Sequence, residues 1–225
     1  MAAAREVQRV IVPENSEEFP GFRVDSTYLP SQQVGGDFFQ ILHDGEDGML
    51  VVVGDVTGKG LPAAMLVSML VGSIRTAAED TRDPARILRK LHDRLVGRGS
   101  GGYSTAIAAR IGRDGTGTMA NAGHLPPYLD GKEIEIAGTL PLGFAGGGQY
   151  QTTSFVIEPG SRLVFCTDGV VEAQSRDGEL FGFDRTRQIS TKTAAKIGDA
   201  AREFGQSDDI TVVAVERVGK TANSQ

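Results

Sequence analysis

Turn-forming dipeptides recur along this chain between short apolar runs, and they commit it to hairpin-linked strands more firmly than any other feature. Asp44-Gly45 and Asp47-Gly48 separate DFFQIL from MLVVVGD, and Asp114-Gly115 separates YSTAIAARI from TGTMANAG. PPYLDGKEIEI carries Asp130-Gly131 at its centre, and Pro159-Gly160 divides QTTSFVI from RLVFC. Asp-Gly supplies the positive φ that tight antiparallel turns require, and Pro-Gly suits a type II turn. FRVDSTYL near the start and DITVVAVERV near the end add two more strands. The strand–helix alternation of a parallel sheet is missing, so the sheets should be mainly antiparallel.

Helical periodicity interrupts this pattern in few places. Residues 61–78 read as a helix that is apolar nearly all round, and therefore buried. Asp83-Pro84 offers an N-cap and first-turn pair for DPARILRKLHDRLV, with Ile87, Leu88, Leu91 and Leu95 on one face. A weaker helical segment covers roughly 184–203. The expected class is α+β, with helices covering sheets. Residues 3–12 place Val7, Val10 and Ile11 on one face of a short helix that Pro13 stops. That helix is either a frayed terminus or a linker from an upstream domain. The domain reading is a linker or switch helix at 1–13, one domain over 14–218 and a disordered tail at 219–225.

A net charge of −6 over 225 residues argues against nucleic acid as a partner. Cys166 is the sole cysteine, which excludes an internal disulfide and fits a reducing compartment. With three histidines it leaves little material for structural zinc. Residues 61–74 form the most apolar stretch, but they are short for a bilayer and include Ser68 and Ser73. The N-terminus has no signal-peptide pattern, so the expected location is cytoplasmic, without a membrane partner.

Chemistry concentrates around VVVGDVTGKG. A phosphate-binding P-loop would need glycine where Val53 stands and a hydroxyl residue where Gly60 stands, so the match fails at both ends. The carboxylates are more informative. A hairpin centred near residue 46 sets Asp37 opposite Asp55, and facing carboxylates repel by roughly 0.2–1 kcal/mol or more. Asp168 ends the apolar run LVFCTD, and Asp208 and Asp209 directly precede ITVVAV. Four acidic strand ends suit the oxygen-rich octahedral coordination that Mg²⁺ or Mn²⁺ prefers. Each could equally close its own solvated turn, and spacing alone leaves both readings open.

VGGDFF, GDVTGKG, NAGHLPP, TDGVVEA and SDDIT, in this order, resemble the metal-dependent type 2C (PPM) serine/threonine phosphatases. The likeness is narrowest to the bacterial branch of the stage II sporulation and sigma-factor regulatory phosphatases, and it runs from about residue 5 to 217. It implies a four-layer α-β-β-α sandwich of two mainly antiparallel sheets flanked by helices. It implies two Mg²⁺ or Mn²⁺ ions at one edge, bridged by Asp55. Asp37 and the Val56 carbonyl would complete one ion's protein ligands, Asp168 and Asp208 would hold the other, and Asp209 ranks behind Asp208. The implied reaction is hydrolysis of phosphoserine or phosphothreonine by water that the two ions activate. The implied partners are a phosphorylated anti-sigma-factor antagonist as substrate and an upstream sensor domain, in an arrangement compatible with a homodimer. The competing reading is a binding module that keeps the fold without catalysis.

Lys59 departs from the pattern, since many relatives carry histidine there, and lysine is a poor proton donor at its usual pKa near 10.4. Lys59 and His124 are the candidate substrate contacts, with His124 also a candidate leaving-group acid or a turn-capping residue. Cys166 reads as core.

Overall fold

The computed structural model describes residues 17–219 apart from 33, 46–47 and 97–101. The helix expected at 3–12 and the tail from 220 onward lie outside the described residues. Strands β1 (Glu17–Phe19), β2 (Phe22–Leu29), β3 (Asp37–His43) and β4 (Gly48–Val56) come first. Helices α1 (Leu61–Asp80) and α2 (Pro84–Val96) follow. Next are β5 (Ser104–Gly112), β6 (Thr116–Ala122), β7 (Tyr128–Leu129), β8 (Lys132–Glu133), β9 (Thr152–Val156) and β10 (Arg162–Cys166). The chain then forms α3 (Asp168–Val171), α4 (Gly182–Ile189), α5 (Ala194–Gly205) and β11 (Ile210–Arg217).

The strands build a six-stranded sheet in the order β1-β2-β11-β10-β7-β8 and a five-stranded sheet in the order β3-β4-β5-β6-β9. Every pairing between these strands is antiparallel, as the turn dipeptides require. At the β7–β8 turn, Asp130 and Gly131 both adopt positive φ, 49° and 81°.

Three apolar seams make four layers. Met49, Val51 and Val53 of β4 face inward, where they meet Phe39, Ile107, Phe165 and Val213 between the sheets. Leu50, Val52 and Val56 of the same strand face outward, under Val67, Leu70 and Ile74 of α1 and Leu88 and Leu91 of α2. A strand buried on both faces explains the unbroken run MLVVV. On the far side, Val164, Val212 and Ala214 pack against Val170 of α3 and Ala194, Ile197 and Ala201 of α5. This is the expected α-β-β-α sandwich.

Two helical expectations need correction. α1 is not buried all round: Leu61 is 60 % exposed and Met65 66 %, because the sheet covers only one side of it. It also runs to Asp80, so by length and composition it could cross a membrane, although Val67, Leu70 and Ile74 belong to the core like those of any buried helix. The segment 184–203 is two helices, α4 and α5, separated by Ser190–Thr193. There the Thr193 hydroxyl accepts from Lys196 N, and Asp25 Oδ2 accepts from Ala194 N at 2.6 Å, restarting the helix. The Asp83 cap is as expected, with Oδ1 accepting from Ala85 N at 2.9 Å and Arg86 N at 3.3 Å.

Candidate active site

The inward face of the five-stranded sheet is apolar until its last row, where it turns acidic. Alternation along β4 carries Met49, Val51 and Val53 on to Asp55, and along β3 it carries Ile41 and Phe39 back to Asp37. The register sets Asp37 directly opposite Asp55, and Asp55 opposite Thr105. Both carboxylates therefore sit at the edge of the inter-sheet core.

The six-stranded sheet completes the arrangement from the other side. Thr167, just after β10, and Thr211, in β11, donate their hydroxyls to Asp37 Oδ2 at 2.7 and 2.6 Å. Asp37 is 1 % exposed. Burial, and next the Asp55 charge, hold its carboxyl well above the usual range, against the pull of the two hydroxyls. Asp55 is pushed up to about 7, first by burial and then by Asp168, Asp208 and Asp209. Asp168 is raised by burial, Glu172 and Asp208. It stands as the first residue of α3 rather than as the end of a strand. Four carboxylates from two sheets thus share one electrostatic neighbourhood at one end of the sandwich.

The two adjacent aspartates before β11 have different surroundings. Asp209 is 4 % exposed; its Oδ1 accepts from Ser31 N at 2.8 Å and from the Ser31 hydroxyl at 3.1 Å. Its Oδ2 accepts from Gly36 N at 2.7 Å, so Asp209 braces the 31–36 loop. Asp208 faces outward and pairs with Lys59, Oδ2 to Nζ at 2.9 Å. That contact lifts the Lys59 ammonium above its usual range.

Glycines let these elements meet. A Cβ on Gly36 would lie 2.7 Å from the Val56 carbonyl oxygen and 2.9 Å from Asp55 Oδ1. Both oxygens therefore border a space that holds no side chain. A Cβ on Gly35 would press on the Asp209 carboxylate and the Tyr28 hydroxyl, and one on Gly169 would collide with the Asp209 carbonyl. Among the described residues no three His, Cys, Asp or Glu side chains already close into a metal-holding group. The oxygens fit a hard cation in kind: acidic, partly buried, with a backbone carbonyl among them.

His124 lies beneath this floor. Its Nδ1 is 3.1 Å from the hydroxyl of Thr105, the cross-strand neighbour of Asp55. Its Nε2 is buried without a hydrogen-bond partner among the described residues. Burial pushes its pKa down to about 4, so it is neutral at pH 7 and poorly suited to protonate a leaving group. The Asn121 side chain instead holds the His124 backbone, with Asn121 Nδ2 donating to His124 O and His124 N donating to Asn121 Oδ1. Cys166 is buried and its thiol is pushed up to about 12, so it is core. A groove of about 760 Å³ between α1 and α2 is lined by none of the carboxylates of the site.

Sequence reasoning missed Thr167 and Thr211. The two threonines were visible inside TDG and DDIT, but nothing local says that both hydroxyls converge on Asp37.

Comparison with known proteins gives this arrangement a family context. The model of a family described as Stage II sporulation protein E (SpoIIE) matches residues 45–218. Protein IcfG of Synechocystis sp. is 26 % identical over 95 % of this chain and 40 % of its own length. Phosphoserine phosphatase RsbU of Bacillus subtilis is 24 % identical over 95 % of this chain and 69 % of its own length. Among solved structures, the SiaA-PP2C domain of Pseudomonas aeruginosa superposes with a TM-score of 0.80 at 24 % identity, covering 95 % of this chain and 94 % of that one. This chain thus spans less than half of IcfG and about two-thirds of RsbU.

Proposed function

Since this chain belongs to the Stage II sporulation protein E (SpoIIE) family, we propose that it is a Mg²⁺- or Mn²⁺-dependent protein serine/threonine phosphatase. The observation that carries the proposal is the gathering of Asp37, Asp55, Asp168 and Asp208 at one end of the sandwich, where burial first and then the Asp168 and Asp208 charges push the Asp55 carboxyl up to about 7. Such crowding is costly without a cation and useful with one.

Two divalent ions in such a site supply Lewis acidity and a hydroxide nucleophile at neutral pH. Asp55 would help to hold both, a reading supported by its facing Asp37 in its own sheet and feeling Asp168 and Asp208 of the other. Asp37 and the Val56 carbonyl would hold one ion; Asp168 and Asp208 would hold the other. Asp209, with both oxygens engaged, keeps Gly36 in place beneath Val56 and serves as a brace. The Thr167 and Thr211 hydroxyls both fix Asp37 Oδ2. Lys59, paired with Asp208 at the border of the site, is a candidate cation for a substrate phosphoryl oxygen.

The substrate proposed is a phosphoserine on an anti-sigma-factor antagonist, acted on in the cytoplasm under an upstream sensor domain. The resemblance to sigma-factor regulatory phosphatases and the name of RsbU support this reading. The test is hydrolysis of para-nitrophenyl phosphate and a phosphoserine peptide with Mn²⁺, comparing wild type with Asp55→Asn. We expect EDTA to abolish turnover and the substitution to lower it by about 10³-fold or more. Mn²⁺-dependent turnover that survives Asp55→Asn overturns the bridging role. Absence of turnover together with absence of metal binding favours a non-catalytic binding module.

A further inference from the structure

Lys59 reaches Asp208 across two loops that border the site, one following β4 and the other leading into β11. Its ammonium lies 2.9 Å from Asp208 Oδ2 and 3.3 Å from the Ser207 carbonyl. The turn that presents it is specific. Gly58 and Gly60 on either side hold φ of 100° and 75°, a region that side chains rarely adopt, so GKG is the local sequence that can aim a lysine here. The lysine and aspartate side chains remain 45 % and 37 % exposed, which leaves the pair free to separate. Asp208 therefore already has a cation of the chain's own.

We propose that Lys59 is a tethered counterion that occupies Asp208 in the metal-free protein, is displaced when a divalent ion arrives, and so sets how tightly the site holds metal. The inference rests on the reading of Asp208 as a metal ligand. An ammonium bound to one carboxylate oxygen competes directly for the lone pairs a metal would use. It also keeps Asp208 from being repelled by Asp55 and Asp168 while the site waits. The bond is only partly shielded from water, so the competition is modest and weakens with salt.

The test is calorimetric titration of the whole chain with Mn²⁺, using wild type, Lys59→Met and Asp55→Asn. In parallel, acylation of Lys59 by an amine-reactive reagent is followed by mass spectrometry with and without Mg²⁺. We expect Lys59→Met to bind Mn²⁺ about two- to fivefold more tightly than wild type, with the gap closing at high salt. In wild type, Mg²⁺ should speed Lys59 acylation as the ammonium leaves Asp208. Equal affinity of wild type and Lys59→Met overturns the proposal while metal binding, and its loss in Asp55→Asn, keep the phosphatase reading intact. Tighter binding with unchanged acylation also overturns it, because the lysine then acts only as background charge. Failure of wild type to bind Mn²⁺ overturns both readings together.

Discussion

The two sheets deliver their carboxylates to the site in opposite ways. The five-stranded sheet offers Asp37 and Asp55 from within paired strands, so register and the inward apolar row fix both positions. The six-stranded sheet offers Asp168 and Asp208 from beyond its strand ends, on a four-residue helix and a turn. Asp37 is buried and Asp55 half-buried, both raised in pKa; Asp168 is likewise half-buried and raised, whereas Asp208 has a lysine partner at the surface. One half of the site is set by the fold itself, and the other half can adjust. This would suit the proposed centre, which has to take up an ion without unfolding.

Asp37 is where the contrast is easiest to break. Asp37→Ala would leave the Thr167 and Thr211 hydroxyls without their buried acceptor, at about 1–3 kcal/mol for each group. Relief of repulsion with Asp55 offsets part of this. We expect a net loss of about 2–4 kcal/mol in chemical denaturation of the metal-free protein. Asp37→Asn keeps an acceptor oxygen and removes the charge, so it should be neutral or stabilising. Asp208→Ala, by comparison, should cost no more than about 1 kcal/mol, since its pair with Lys59 is half exposed. Equal losses for Asp37→Ala and Asp208→Ala would erase the distinction between an embedded and an adjustable half.

Asp209 sharpens the same comparison, because it belongs to the six-stranded sheet's turn yet is buried like Asp37. Asp209→Ala removes the acceptor for Ser31 N, the Ser31 hydroxyl and Gly36 N together. The expected cost is about 1–3 kcal/mol, with faster amide exchange at Gly36 as the local signature. If Asp209 were a ligand and not a brace, the substitution would weaken Mn²⁺ binding while Gly36 exchange stayed unchanged.

The same division decides what could be read from the sequence. The Asp37–Asp55 opposition follows from hairpin symmetry about the Asp-Gly turns, because the antiparallel register of a tight hairpin is set by its turn. The four layers were legible through the family resemblance, since an unbroken run such as MLVVV does not by itself say which faces are covered. The six-stranded half was less legible. Asp208 and Asp209 are neighbours of identical type, and only the loop at 31–36, some 170 positions away in the chain, determines which of them turns inward. The partnership of Lys59 with Asp208 and the convergence of two threonines on Asp37 are likewise long-range. Burial of α1 was overestimated because periodicity reports apolar content and not which side a sheet covers.

Asp55 gives the smallest effect and the most direct reading of the crowding. Its folded pKa of about 7 lies above the usual carboxylate value near 3.9. The metal-free native state therefore binds more protons than the unfolded chain across this interval. The stability this protonation contributes is complete below about pH 4 and is lost as pH rises through 7. Asp37 and Asp168 are shifted in the same direction and reinforce the trend. In EDTA the melting temperature should fall as pH climbs from 5 to 8, and Asp55→Asn should flatten that fall, gaining on the order of 1–2 kcal/mol at pH 8. Saturating Mg²⁺ should reverse the trend in wild type, because a metal needs the carboxylates deprotonated. The substitution that disables the proposed enzyme thus stabilises its metal-free fold. If the site holds a cation as proposed, its carboxylates repel one another until one binds, and a pH slope identical in wild type and Asp55→Asn would show that no such repulsion exists.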